Sequence, residues 1–206
     1  MNIAVFGAKG RVGRRVVALA KGKNHNVMSI DKGWVENHLD TIDVVVDFSL
    51  PSALEDVVKL CLQHHCPLVS GVTGYNAQQL KVLEGLSKQV KVVHKSNFSI
   101  GVDMVKKIVS LLADNLHNWD CTIVETHRKG KKDAPSGTAV DLATTVSQNK
   151  SFCTVDVHSI RSGDCLGRHE IIFGTSGETI TLTHTATSID IFAKGALLVA
   201  ESIANR

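Results

Sequence analysis

Asn2-Ile3-Ala4-Val5-Phe6-Gly7-Ala8-Lys9-Gly10-Arg11-Val12-Gly13 is the stretch whose reading decides the fold. Its apolar run breaks at Gly7, and Val12, Val16, Val17 and Leu19 then recur on one side of a helix. The order is strand, tight turn, helix. In that setting glycines let the backbone approach a pyrophosphate, and the helix N-terminus offers N–H groups to it. The spacing is G-x-x-G-x-x-G and not G-x-G-x-x-G, so the bare pattern also fits a tight turn with no ligand. The strand before it and the helix after it favour the cradle.

Outward from this turn the same grammar repeats. Val27 to Ile30 and Val44 to Val46 are short apolar runs that end at Asp31 and at Asp47-Phe48-Ser49, as buried parallel strands do. Pro51 suits a first helical turn, and Leu54, Val57, Val58 and Cys61 follow at helical spacing. Pro67-Leu68-Val69 reads as the next strand. Asn76 with Gln79 resembles a capping box before the helix of Leu80 and Leu83, and Val90 to Val93 gives a fifth strand. Strands alternating with helices predict an α/β fold with a doubly wound parallel sheet. Asp31 lies about 20 residues beyond the glycine turn, where a carboxylate can accept from a ribose, or can simply end a strand at solvent. An acid there favours NADH. Lys32, Arg11 and Arg14 could instead pair with a 2′-phosphate, so NADH and NADPH both stay open.

Beyond about Asn97 the pattern changes to α+β. A helix from about Val102 to Leu116 leads to a strand near Thr122 to Glu125, a polar loop and a helix beginning near Ser136. Val155 and Val157, then Ile180 and Leu182, alternate with polar residues, which predicts half-buried antiparallel strands. The expected division is 1–97 and 98–189, with a final helix, 190–206, packing back on the first domain. Glu125 to Thr138 gathers His127, Arg128, Lys129, Lys131 and Lys132 ahead of Pro135 and a helix start. Such a loop suits an anion, with the N–H groups of Gly137 and Thr138 as a carboxylate cradle. Standing alone, it reads equally well as a solvated basic loop with Ser136 as a plain cap.

Composition narrows the field. With 206 residues, 43% apolar and 21% charged, the chain can bury a core without staples. Five cysteines, an odd number without framework spacing, point to a reducing, cytoplasmic setting. No uncharged stretch approaches the roughly 18 residues of a membrane span, and no signal segment is expected ahead of the first strand. A net charge of +3 without a basic and aromatic patch argues against nucleic acid as partner. Cys61, His64, His65 and Cys66 resemble metal ligands by type only. No second group matches their spacing, so no metal is expected. Trp34 and Trp119 read as packing residues.

Together these blocks resemble the dihydrodipicolinate reductase family of lysine and diaminopimelate biosynthesis. The likeness runs through Gly7 to Gly13, Val46-Asp47-Phe48-Ser49, Gly71-Val72-Thr73-Gly74, Ser96 to Gly101 and Lys131 to Thr138. It continues through Arg161, Gly163, Gly167, His169, Glu178, His184 and Phe192 to Ala196. The string Asp-Ala-Pro-Ser-Gly-Thr is its most specific part. The resemblance implies a Rossmann-type dinucleotide-binding domain and a second domain that binds a small dicarboxylate substrate and builds a homotetramer. The implied reaction is reduction of 4-hydroxy-tetrahydrodipicolinate by NADH or NADPH. Carried over, Gly7, Ala8, Lys9, Gly10, Arg11, Val12, Asp31 and Lys32 would hold the cofactor, as would Gly71, Val72, Thr73, Lys95, Ser96, Asn97 and Phe98. His127 and Lys131 match the acid/base pair, and Gly137 and Thr138 match the substrate cradle. The chemistry fits these types: hydride arriving at a conjugated ring leaves negative charge for an ammonium to stabilise and a donor to quench.

Two positions depart from the family. Arg128 stands where a second histidine is usual, and Ile189 where an arginine is usual. Arginine can grip a carboxylate bidentately, so Arg128 remains a substrate contact. The nucleotide domain is also short between its first helix and Asp47. These departures keep two rivals in view: a reductase of a related anionic cyclic imine, and a nucleotide-binding homologue impaired in catalysis.

Overall fold

A computed structural model describes residues 1–148 and 154–204. The chain divides into two compact units, Met1–Phe98 joined by the segment from Asp190 onward, and Ser99–Ile189.

The first unit is built on a six-stranded sheet: β1 (Asn2–Phe6), β2 (Asn26–Asp31), β3 (Trp34–Glu36), β4 (Val44–Asp47), β5 (Leu68–Ser70) and β6 (Val92–His94). Their order is β3-β2-β1-β4-β5-β6. All neighbours are parallel except β2 and β3. The chain winds one way from β1 and the other way from β4, so the C-terminal ends of β1 and β4 form a topological switch point, where ligands of such sheets bind. Helices cover both faces. α1 (Gly13–Gly22) and α6 (Asp190–Ala204) pack Val16, Ala20, Ala193, Ala196 and Leu197 against Ile3, Val5, Val44 and Val46 on one side. α2 (Leu54–His64) and α3 (Ala77–Ser87) pack Leu54, Val57, Cys61, Leu83 and Leu86 against Ala4, Val45 and Leu68 on the other. The capping box holds: the Gln79 amide donates to Asn76 Oδ1 at 2.9 Å and the Asn76 amide to Gln79 Oε1 at 3.0 Å. α6 is tied to α1 by Arg15 on Asp190 and Lys23 on Glu201.

β3 is a strand the sequence reading lacked. It lies in the short stretch between β2 and β4, and the tight Lys32-Gly33 turn leading to it needs Gly33 at φ +66°.

The second unit carries α4 (Ile100–Asn115), β7 (Asp120–His127), α5 (Gly137–Ser147), β8 (Thr154–Arg161), β9 (Arg168–Thr175) and β10 (Glu178–Thr185), with sheet order β10-β9-β7-β8. Ser99 and Ser136 cap α4 and α5 by accepting from Val102 and Ala139. The helices cover one sheet face, where Cys121, Ile123, Ile171 and Phe173 meet Val109, Ala139, Leu142 and Val146. Thr122, Val124, Glu170, Ile172, Thr181 and Thr183 lie on the other face, half-buried or exposed.

Two readings of this half change. β8 runs parallel to β7, not antiparallel, because α5 returns the chain in a crossover; alternation reports one-sided burial and not direction. β9, between β7 and β10, escaped notice because Arg168, Glu170 and Gly174 interrupt its apolar positions. Thr126 and His127, read with the loop, belong to β7.

Candidate functional site

The glycine turn sits at the switch point. Gly7 has φ +71°, and a Cβ there would lie 2.5 Å from the Phe48 carbonyl oxygen. A Cβ on Gly13 would lie 2.1 Å from the Gly7 oxygen, and one on Gly71 would lie 2.2 Å from the Phe48 ring. The glycines therefore let β1, β4 and β5 end in close contact around Phe48, whose ring meets Phe98 edge-on at 5.9 Å between centroids. The Ala8 amide donates to Ile30 O, the Lys9 amide to Asp31 Oδ2 and the Gly10 amide to Gly7 O. The amides of Arg11, Val12 and Gly13 have no acceptor among the described residues. They stand at the start of α1, where the positive end of the helix dipole adds to them. The turn thus fits a pyrophosphate.

Asp31 does more than end a strand. Its two oxygens accept from the Lys9 and Lys32 amides, each at 2.9 Å, so it braces the turn. Lys9 extends over the Trp34 ring, with Nζ 4.2 Å from the centroid. Gly71, Val72 and Thr73 follow β5, and Lys95 to Phe98 follow β6. His94 Nε2 donates to Val72 O at 2.8 Å, the Lys95 amide donates to Ser70 O at 3.1 Å, and Phe98 is core. The expected cofactor residues of this unit thus cluster on the loops after β1, β2, β5 and β6.

In the second unit, β7 alternates so that Cys121, Ile123, Glu125 and His127 share its buried face. Glu125, with no exposure, takes Arg161 in a fork, Nη1 to Oε2 at 2.9 Å and Nη2 to Oε1 at 2.6 Å. Its Oε1 also accepts from the Ser136 amide at 3.2 Å, and its Oε2 pairs with His127 Nδ1. Burial alone would raise this carboxyl, but Arg161, Ser159 and His127 outweigh it and hold Glu125 down to about 2. Burial pushes the His127 pKa down, against the pull of Glu125. His169, edge-on to His127 at 5.3 Å, is pushed down to about 4 by burial and by His127, and bonds Ser136 Oγ at 3.1 Å.

The loop from Arg128 to Ser136 is pinned at both ends. The Arg128 amide donates to Cys165 O at 2.7 Å, and Arg161 Nη2 donates to Asp133 O at 2.6 Å. Lys131 pairs with Asp133. Gly137 and Thr138 open α5, and the Gly137 amide has no acceptor among the described residues. His127, Lys131 and the α5 start are therefore gathered by one strand end and one loop. Sequence reasoning assigned no site role to Glu125, Arg161 or Gly167, and read Ser136 only as a cap, which it is. The available signal was Glu125 two residues before His127 on a strand, which puts both side chains on one face. Cys61 and Cys66 are buried thiols beside the end of α2.

The chain matches the family pattern described as dihydrodipicolinate reductase, N-terminus, over residues 1–98, and its C-terminus counterpart over residues 101–206. It is 37% identical over 207 residues to the 4-hydroxy-tetrahydrodipicolinate reductase of Thermosipho africanus, covering 100% of this chain and 93% of that one. It is 34% identical to the enzyme of the same name from a Nitratiruptor species, covering 98% and 92%. Among solved structures, a dipicolinate-bound dihydrodipicolinate reductase from Paenisporosarcina sp. TG-14 shares the fold, with a TM-score of 0.78 at 22% identity and coverage of 100% and 95%.

Proposed function

The chain belongs to the dihydrodipicolinate reductase family, and from that premise we propose how its residues divide the reduction of 4-hydroxy-tetrahydrodipicolinate to tetrahydrodipicolinate. NADH or NADPH supplies the hydride. The first unit is the dinucleotide-binding domain. Gly7 to Val12 carry the pyrophosphate on the α1 amides, Asp31 and Lys32 meet the adenosine ribose, and Gly71 to Thr73 with Lys95 to Phe98 complete the cofactor site. The second unit is the substrate-binding domain. Arg128, Gly137 and Thr138 hold the substrate's carboxylates, with the guanidinium as a bidentate grip and the amides at the helix start as donors. The Lys131 ammonium stabilises the negative charge that hydride transfer leaves on the ring, and His127 handles the proton at Nε2.

The observation that carries this reading is the Glu125–His127 pair. A wholly buried, ionised carboxylate on Nδ1 leaves Nε2 as the imidazole edge that exchanges a proton, at the end of a strand that runs into a loop of cations and helix amides. The open face of the four-stranded sheet supports self-association, and we extend the proposal to a homotetramer working in the cytoplasm. The test is initial-rate oxidation of NADH and of NADPH with freshly generated substrate. Turnover is expected with at least one. Cofactor binding without turnover would leave an impaired nucleotide-binding homologue, and turnover of another cyclic imine alone would change the substrate.

A further inference from the structure

We propose that Glu125, neutralised by Arg161, is the positioning residue of the second unit: it fixes the His127 ring with Nδ1 as donor and Nε2 as the titrating edge, and through Ser136 it sets the start of α5. The inference rests on the reading that His127 handles the proton, and extends it to a residue with no contact to substrate or cofactor in that reading.

A carboxylate that stays ionised can only accept, so the ring nitrogen facing it must carry the hydrogen. Glu125 is buried among donors: Arg161 twice, the Ser136 amide, the Ser159 hydroxyl and His127 Nδ1. Arg161 matters as much as the carboxylate. Without a cation at this depth, Glu125 would be an unpaired buried charge and would drive His127 to the imidazolium form. With the fork in place the charge is balanced, and the histidine is free to cycle between neutral and protonated.

Three further features agree. A Cβ at Gly167 would lie 3.0 Å from His127 Nε2, so the glycine keeps that edge clear. Arg161 reaches on to Asp133 O, so one guanidinium ties β8, β7 and the cationic loop together. Ser136 caps α5 through Oγ while its own amide is held by Glu125, so the α5 amides are aimed by the same carboxylate that orients the ring. The titratable and charged groups facing His127 are Glu125 on its own strand, Arg161 on β8, His169 on β9, and Lys131 from the loop, itself paired with Asp133.

The test combines a tautomer measurement with a variant. Nitrogen-15 NMR of the histidines in the unmodified protein at pH 7.5 should show His127 with Nδ1 protonated and Nε2 bare. In Glu125→Gln the amide can present either an oxygen or an NH2 group, so a mixture of tautomers is expected. With it should come a kcat lowered by roughly 10- to 100-fold, as for loss of a residue that orients a histidine. The dissociation constant for the reduced cofactor should stay within about two-fold, since the nucleotide turn is untouched. The pH limb belonging to His127 should move to lower pH, because a negative neighbour has gone. Glu125→Asp, which keeps the acceptor, should restore part of kcat. An Nε2-protonated ring in the unmodified protein would overturn the proposal, as would Glu125→Gln with kcat and pH profile unchanged. A protein that never turns over substrate defeats the functional reading instead, while the tautomer still decides the role of Glu125.

Discussion

Lys131 Nζ lies 2.8 Å from both carboxylate oxygens of Asp133, two residues along the same loop. Against partial burial, the ammonium holds the Asp133 carboxyl below the usual carboxylate range. The Asp133 side chain is 59% exposed while Lys131 is 21% exposed, so the aspartate is the partner that can swing away. A substrate carboxylate or a developing ring charge then competes with Asp133 for the same cation. Exposed pairs cost little to break, about 1 kcal/mol or less. Asp133→Ala should therefore lower KM for the substrate by roughly two- to five-fold. Steady-state kinetics check this, and a raised KM would make Asp133 part of the binding site instead of a competitor.

Lys131→Ala removes the charge itself. Because that charge is needed chiefly as the transition state develops, kcat should fall by about 100-fold or more. Cofactor affinity, measured by fluorescence titration of the reduced dinucleotide, should barely change. An unchanged kcat would take Lys131 out of the chemistry.

Burial lowers the His127 pKa, so the neutral ring prevails at neutral pH and the acid form is filled as pH falls. If His127 donates the proton, the rate should decline as pH rises through this lowered value. His127→Gln should abolish that limb of the kcat profile. A profile identical to that of the unmodified enzyme would mean that the proton comes from another group.

The same histidines make folding acid-sensitive. His169 is held at about 4 in the folded protein against an ordinary 6.5. The unfolded chain therefore binds more protons between these values, and stability is lost as pH falls from about 6.5 toward 4, by up to about 3 kcal/mol. Below that range Glu125, held at about 2, continues the loss. Thermal unfolding should show a lower Tm at pH 5 than at pH 7.5. His169→Gln, which does not titrate, should show a smaller drop.

Much of this molecule could be read from its residues, and the exceptions have physical causes. β1, β2, β4, β5 and the capping box of α3 declare themselves because their apolar runs and end signals are local. β3 did not, since three residues at a sheet edge carry too little pattern and its pairing depends on the Lys32-Gly33 turn. β9 was hidden by charged residues on its open face, and the direction of β8 depends on the crossover through α5, which strand alternation does not encode. In the candidate site, His127 and Lys131 stand on one continuous stretch of sequence, so their closeness could be read there. Glu125 and Arg161 were not, because they lie 36 residues apart and meet only through the parallel register of β7 and β8. A buried carboxylate looks like any other glutamate until its partners are known.

Asp31 gives the last prediction, because it has two duties that a substitution can separate. Its carboxylate braces the Lys9 and Lys32 amides, and an oxygen with a lone pair to spare can also accept from a ribose hydroxyl. Asp31→Ala removes both functions, and the loss of NADH affinity should exceed the loss for NADPH. A 2′-phosphate is repelled by the native carboxylate and has Lys32 and Arg11 available to it once that charge has gone. Asp31→Asn retains one oxygen to brace the turn but cancels the charge. It should therefore shift the NADH to NADPH preference in the same direction with a smaller loss in absolute affinity. Titration of both variants with both cofactors checks this. Equal losses for the two dinucleotides in both variants would mean that Asp31 acts only by holding the turn, and that the ribose is read elsewhere.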